Sequence, residues 1–154
     1  MLEAIEALPV AAYLRRSFVA YPLVNAAHVF GIAFLVGSIV LADLRLLGRL
    51  RALSPEAVTR VLVPTAACGL ALSLLSGVLL FAVQAVDYAA NPAFLAKLAV
   101  LALGLANLSW VHATGALTAF RASGNASPGL RRAALVSLTA WPTVLVAGRF
   151  TGYL

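Results

Sequence analysis

The chain has 154 residues, of which 63% are hydrophobic and 10% charged, with 11 Lys and Arg against 5 Asp and Glu. Soluble domains carry about 45–50% apolar and about 25% charged residues, so too little polar surface exists here to cover a water-soluble globule. A soluble enzyme, a secreted disulfide scaffold and a DNA-binding domain are therefore excluded, and the net charge of +6 needs an explanation other than nucleic acid.

Residues 2–18 (LEAIEALPVAAYLRRSF) set Leu2, Ile5, Leu8, Tyr13 and Phe18 against Glu3, Glu6, Arg15 and Arg16. That pattern predicts a short amphipathic segment lying at the membrane interface. Its acidic residues come before its basic ones and Pro9 interrupts it, the wrong order for a signal peptide, so the span that follows is read as permanent. Tyr21-Pro22 opens a first span over about 22–46, with an aromatic at headgroup level and proline in the first turn. A loop with Arg45, Arg49 and Arg51 leads to a helix start at Ser54-Pro55-Glu56 and a second span over about 61–85. Asp87 to Pro92 forms a short turn before a third span over about 94–118. The loop RASGNASPGLRR then leads to a fourth span over about 133–152, interrupted by Trp141-Pro142.

A bilayer needs roughly 20 mainly apolar residues per crossing, and four such stretches leave no room for a separate soluble domain. Residues 1–154 thus form a single transmembrane domain, an all-α, up-down four-helix bundle with short connections. Seven basic residues (Arg45, Arg49, Arg51, Arg60, Arg121, Arg131 and Arg132) fall in the first and third loops. The positive-inside rule places those loops in the cytoplasm and both termini outside. Gly69, Ser73 and Gly77, four residues apart, form a small-residue stripe that permits close helix approach. Cys68 stands alone inside a span and forms no intrachain disulfide.

Polar groups at membrane depth are costly, and each needs an account. His28 lies about 10 Å below Tyr21 and shares a helix face with Asn25, Ile32, Leu35, Ile39, Ala42 and Asp43. An imidazole there can ligate haem iron or copper or relay a proton; it can equally be a neutral side chain bonded to a neighbouring helix. His112 lies about 16 Å deeper, so a bis-histidine haem within one chain is disfavoured, and a solvated interfacial role is preferred to metal binding. Asn25, His28, Lys97 and Arg149 fall at similar depth and can line one outer pocket, the two cations holding carboxylates such as haem propionates. Alternatively Lys97 and Arg149 anchor helices at the interface or pair with Asp87. Asp43 is expected to pair with the loop arginines, with a proton path as the lesser reading. Asn107 is a further polar residue at depth. The chain lacks C-x-x-C, C-x-x-C-H, H-E-x-x-H and glycine-rich phosphate-loop motifs.

The strings YPLVNAAHVFGIAFLVGSIVLADLRLLG, VPTAACGLALSLLSGVLLFA, NPAFLAKLAVLALGLANLSWVH and AGRFTGYL resemble an uncharacterised family of small four-helix bacterial inner-membrane proteins, over about residues 18–154. The order of His28, then Pro64 and Gly77, then Lys97 distantly resembles the four-helix protoporphyrinogen oxidases and the membrane domain of copper-resistance D proteins. The first resemblance implies that His28 is a haem ligand and Lys97 a partner for a carboxylate; the second implies that His28 lies near a metal path. Three functions stay open. The first is binding of haem b or a related porphyrin for electron transfer at the outer face, as the membrane arm of a redox complex. The second is a cofactor-free accessory or scaffold subunit, with the small-residue stripe facing a partner or a second copy. The third is copper or small-solute transport, weakened by the presence of one Met and one Cys.

Overall fold

Three pairs of a polar residue followed by proline set where long helices begin. Ser54 Oγ accepts a hydrogen bond from the Ala57 amide at 3.0 Å, and Ser127 Oγ accepts one from Leu130 at 3.2 Å. Asn91 Oδ1 accepts from the amides of Ala93 and Phe94 at 2.9 and 3.2 Å. The proline after each cap removes an amide that has no intrahelical partner anyway, so it starts the helix without breaking it.

The computed structural model describes residues 1–151 and is all-helical, with no strand among them. Helices α1 (Leu2–Glu6) and α2 (Pro9–Arg16) precede α3 (Ala20–Leu46). Helix α4 (Pro55–Ala57) continues through a π-helical stretch, Val58–Leu62, into α5 (Val63–Val83). Then come α6 (Ala85–Ala90), α7 (Pro92–Ala113), α8 (Ala116–Ser123) and α9 (Pro128–Phe150). Helix α3, the continuous helix Pro55–Val83, α7 and α9 are each long and apolar enough to cross a membrane. They form the up-down bundle expected of a multi-pass membrane protein.

Several predicted boundaries shift, each for a local reason. The N-terminal segment is interrupted at Pro9 as expected, and Pro9 starts a new helix after Leu8. The third span stops at Ala113 instead of 118, since Gly115 takes a left-handed φ of 64° and turns the chain into α8. Helix α9 begins at Pro128, so Arg131 and Arg132 lie in its opening turns and not in a loop. Pro142 does not interrupt it; the helix runs through, and the Thr143 hydroxyl donates to the Thr139 carbonyl at 2.7 Å beside it. Gly152, Tyr153 and Leu154, which close the predicted fourth span and the AGRFTGYL string, lie outside the described residues.

Helices pack as α3 on α5, α7 on α9, and α3 on α9, while α5 and α7 are not a close pair. The α3–α5 contact is backbone on backbone. A Cβ on Gly69 would stand 2.5 Å from the Leu35 amide nitrogen, and one on Gly31 would stand 2.7 Å from that of Ser73. On the α7–α9 side, Asn107 Nδ2 donates to the Ala133 carbonyl at 3.0 Å. At the arginine-rich end, Ala42, Leu46, Val58, Phe120, Leu130 and Ala134 form a buried cluster to which α8 contributes Phe120. At the other end α1 packs on α6; Arg15 Nη1 donates to the Val83 carbonyl and Glu6 accepts from the Val86 amide, both at 2.9 Å. Asn91 Nδ2 reaches the Thr151 carbonyl at 3.3 Å, so both ends of the described chain sit at the α6 end, opposite the arginine-rich connections.

Candidate functional site

Toward the α6 end the two hairpins part, and all four long helices line a cavity of about 680 Å³. Its walls are apolar for the most part, from Ile32 and Leu35 on α3 through Leu70 and Leu74 on α5 to Leu101 on α7. Trp141 of α9, 3% exposed, packs with Leu35, Ala66 and Leu70, and its ring lies over Gly104, where a Cβ would come within 3.3 Å. The indole thereby forms the floor between the cavity and the packed half of the bundle. Above it, the rings of Phe81, Tyr88 and Phe94 stack with centroids 5.4–6.4 Å apart. Burial first, then the neighbouring Tyr21 and Asp87, raises the pKa of the Tyr88 phenol above its ordinary value, so this roof is uncharged at neutral pH.

The four residues expected to share a pocket, Asn25, His28, Lys97 and Arg149, all line this cavity. His28 Nδ1 lies 2.8 Å from the Ser73 carbonyl oxygen and 3.1 Å from Ser76 Oγ. A carbonyl only accepts, so Nδ1 carries the proton and donates it. The Ser76 hydroxyl, itself donating to the Leu72 carbonyl at 2.6 Å, accepts as well. In the neutral ring this is the Nδ1–H tautomer, whose lone pair is on Nε2. Nε2 has no hydrogen-bond partner among the described residues. Nor is it sealed off, since Asp43 Oδ2 is the one fully buried side-chain polar atom without a partner there. Space for the imidazole comes from Gly77, where a Cβ would stand 3.1 Å from His28 Cε1.

Lys97 crosses from α7 toward α9 over Gly148, where a Cβ would meet Nζ at 3.4 Å. Its ammonium stands 5.9 Å from the centre of the Phe94 ring, at the edge of cation–π range. No carboxylate pairs with it among the described residues, and Asp87 lies exposed on α6 instead of beside it. Arg149 and Asn25 line the same cavity from more exposed positions, and no Asp or Glu does so. The site therefore brings together the Lys97 ammonium, the Arg149 guanidinium, an imidazole whose Nε2 is open, and a large apolar wall.

Other expected features fall elsewhere. His112 is exposed, bonds through Nδ1 to the Leu108 carbonyl of its own helix at 2.9 Å, and does not line the cavity. Asp43 does not pair with the loop arginines: it is 3% exposed and lies beside Ser137 of α9. Arg45 turns away from it, donating from Nε to the Leu53 carbonyl at 2.6 Å and lying 5.3 Å over the Phe120 ring. The stripe Gly69, Ser73, Gly77 faces α3 inside the chain and offers no surface to a partner. Cys68 is exposed and outside the cavity, and no group of three metal-ligating side chains occurs among the described residues.

Sequence reasoning missed Ser76, Trp141 and Gly148 as parts of the site. The spacing held a signal for two of them, since Gly148 and Arg149 adjoin, and Trp141 stands two turns before them.

Residues 13–154 match the family of unknown function DUF6644, and the chain belongs to that family. No curated protein and no solved structure matches it.

Proposed function

We propose that this membrane protein holds haem b or a related porphyrin in the cavity, where His28 Nε2 would ligate the iron and Lys97, Arg149 and Asn25 would meet the acid groups. The bound group serves electron transfer at the α6 end, which the positive-inside rule assigns to the outer face of a bacterial inner membrane. One observation carries the reading: the His28 ring is fixed through Nδ1 by Ser73 and Ser76, and its Nε2 is free in a cavity that Lys97 also lines.

Supporting chemistry comes from the rest of the wall. Histidines that bind metal generally anchor the second ring nitrogen to a carbonyl or carboxylate, which fixes orientation and raises basicity. The volume of about 680 Å³ lies inside the range of roughly 300–1,000 Å³ for small-molecule sites. Lys97, which no carboxylate pairs with among the described residues, attracts an anionic ligand group at membrane depth, and propionates meet that need. Haem iron, when bound, supplies one-electron redox chemistry. The chain's own contribution is to orient His28, neutralise the acid groups and keep water out with the aromatic roof. His112 lies outside the site, so one histidine of this chain serves it.

Titrating haemin into the protein in lipid nanodiscs tests the reading. Wild type is expected to give a saturable Soret band at one equivalent. Absence of such a band in wild type would overturn the proposal.

A further inference from the structure

The cavity has a floor, a roof and two packed sides. Trp141 closes it toward the arginine-rich end. The stack of Phe81, Tyr88 and Phe94 closes it toward the α6 end, where α6 is tied down by α1 and by the Glu6 contact. Helix contacts α3–α5 and α7–α9 account for two sides; α3 and α9 meet in the arginine-rich half, below the cavity, and α5 and α7 have no close helix packing. Leu74 and Val78 of α5 and Leu98 of α7 line the cavity while remaining 38%, 67% and 42% exposed. In a four-span bundle, side chains exposed at that depth face lipid.

We infer that the cavity is loaded sideways, from the bilayer, through the seam between α5 and α7, by an amphiphile with an apolar body and a carboxylate head. This rests on the reading of the cavity as a porphyrin site and adds where that ligand comes from: the hydrocarbon phase, and not the aqueous face. Charge complementarity selects the head group. Lys97 lines the cavity with no carboxylate paired to it among the described residues, so a carboxylate is attracted and an ammonium repelled. The apolar walls and the lipid-facing seam select the body. A polar solute would have to cross the aromatic roof or the hydrocarbon, and both oppose it.

Two readouts separate this inference from the haem reading. The first uses the protein in liposomes with Trp110→Phe, leaving Trp141 as the sole indole. A brominated fatty acid in the bilayer should quench at least half of the Trp141 emission, while aqueous iodide should quench less than a tenth. Narrowing the seam with the double variant Val78→Phe and Leu98→Phe should reduce the fatty-acid quenching at least fivefold. Leu75→Phe, exposed on α5 but outside the cavity, should leave it unchanged. The second readout is the rate at which haemin, dissolved beforehand in the bilayer, develops a Soret band. The seam double variant should slow it at least fivefold, while Leu75→Phe matches wild type. Quenching by the fatty acid without any haemin band would sink the haem reading and keep the lateral seam. A haemin band with seam variants matching wild type in both rate and quenching would overturn the lateral seam alone. Iodide quenching equal to that of the fatty acid would overturn it too.

Discussion

The two halves of the bundle are built from the same four helices and differ in what stands between them. In the arginine-rich half, α3 and α9 meet directly, and the space is filled by Ala42, Leu46, Val58, Phe120, Leu130 and Ala134. In the other half the same helices part around about 680 Å³. Small residues occur in both, but they do different things. Gly31 and Gly69 bring two backbones together, whereas Gly77 and Gly148 each make room for one polar side chain, His28 and Lys97. A glycine in a membrane helix therefore reads as close packing or as a seat for a functional group, according to what lies opposite. Without a strong hydrophobic drive between helices in lipid, shape alone decides where the bundle closes.

The division between halves can be broken at Trp141, which separates them. Trp141→Ala should merge the cavity with the core and lower stability by about 3–5 kcal/mol. Unfolding in mixed micelles measures it, and a loss under about 1 kcal/mol would mean the indole is no floor. The packed half is tested at Gly69, where an added methyl meets the Leu35 backbone. Gly69→Ala should cost about 1–3 kcal/mol, while Gly37→Ala, with nothing within 4 Å of its Cβ, should be neutral or gain up to about 1 kcal/mol. Equal effects at the two glycines would contradict the assigned contact. Ser137→Ala removes the hydroxyl beside the buried Asp43 carboxyl, and a loss of about 1–2 kcal/mol is expected in the same assay. At the open half, Lys97→Met keeps the stem over Gly148 and removes the charge. Stability should hold, and affinity for haemin should fall about tenfold, equivalent to ~1.4 kcal/mol. A matching loss for a porphyrin without carboxylates would show that Lys97 acts by shape instead.

Much of this was legible from residue order. Four runs of apolar residues with arginines between them determine span count and helix order, and helix depth alone puts Asn25, His28, Lys97 and Arg149 in one layer. Which side of each helix faces inward was not legible, because helices that are apolar all round carry little directional pattern. Asp43 shows the consequence. Adjacency to Arg45 in sequence pointed to an ion pair, yet the helix turns Asp43 toward Ser137 on α9 and sends Arg45 back to Leu53. The ends of the third and fourth spans differ from the hydropathy pattern for another reason. Hydropathy does not register a left-handed Gly115, or the cap formed by Ser127 before Pro128. Ser73 escaped notice as an anchor because its contribution is a backbone carbonyl, which any residue type presents.

The most direct test of the site compares optical spectra of wild type, His28→Ala and His112→Ala, purified from haem-replete membranes under the same conditions. A Soret band in wild type and in His112→Ala, lost in His28→Ala while all three fold alike by circular dichroism, is the expected result. An unchanged band in His28→Ala, or none in wild type, would contradict it.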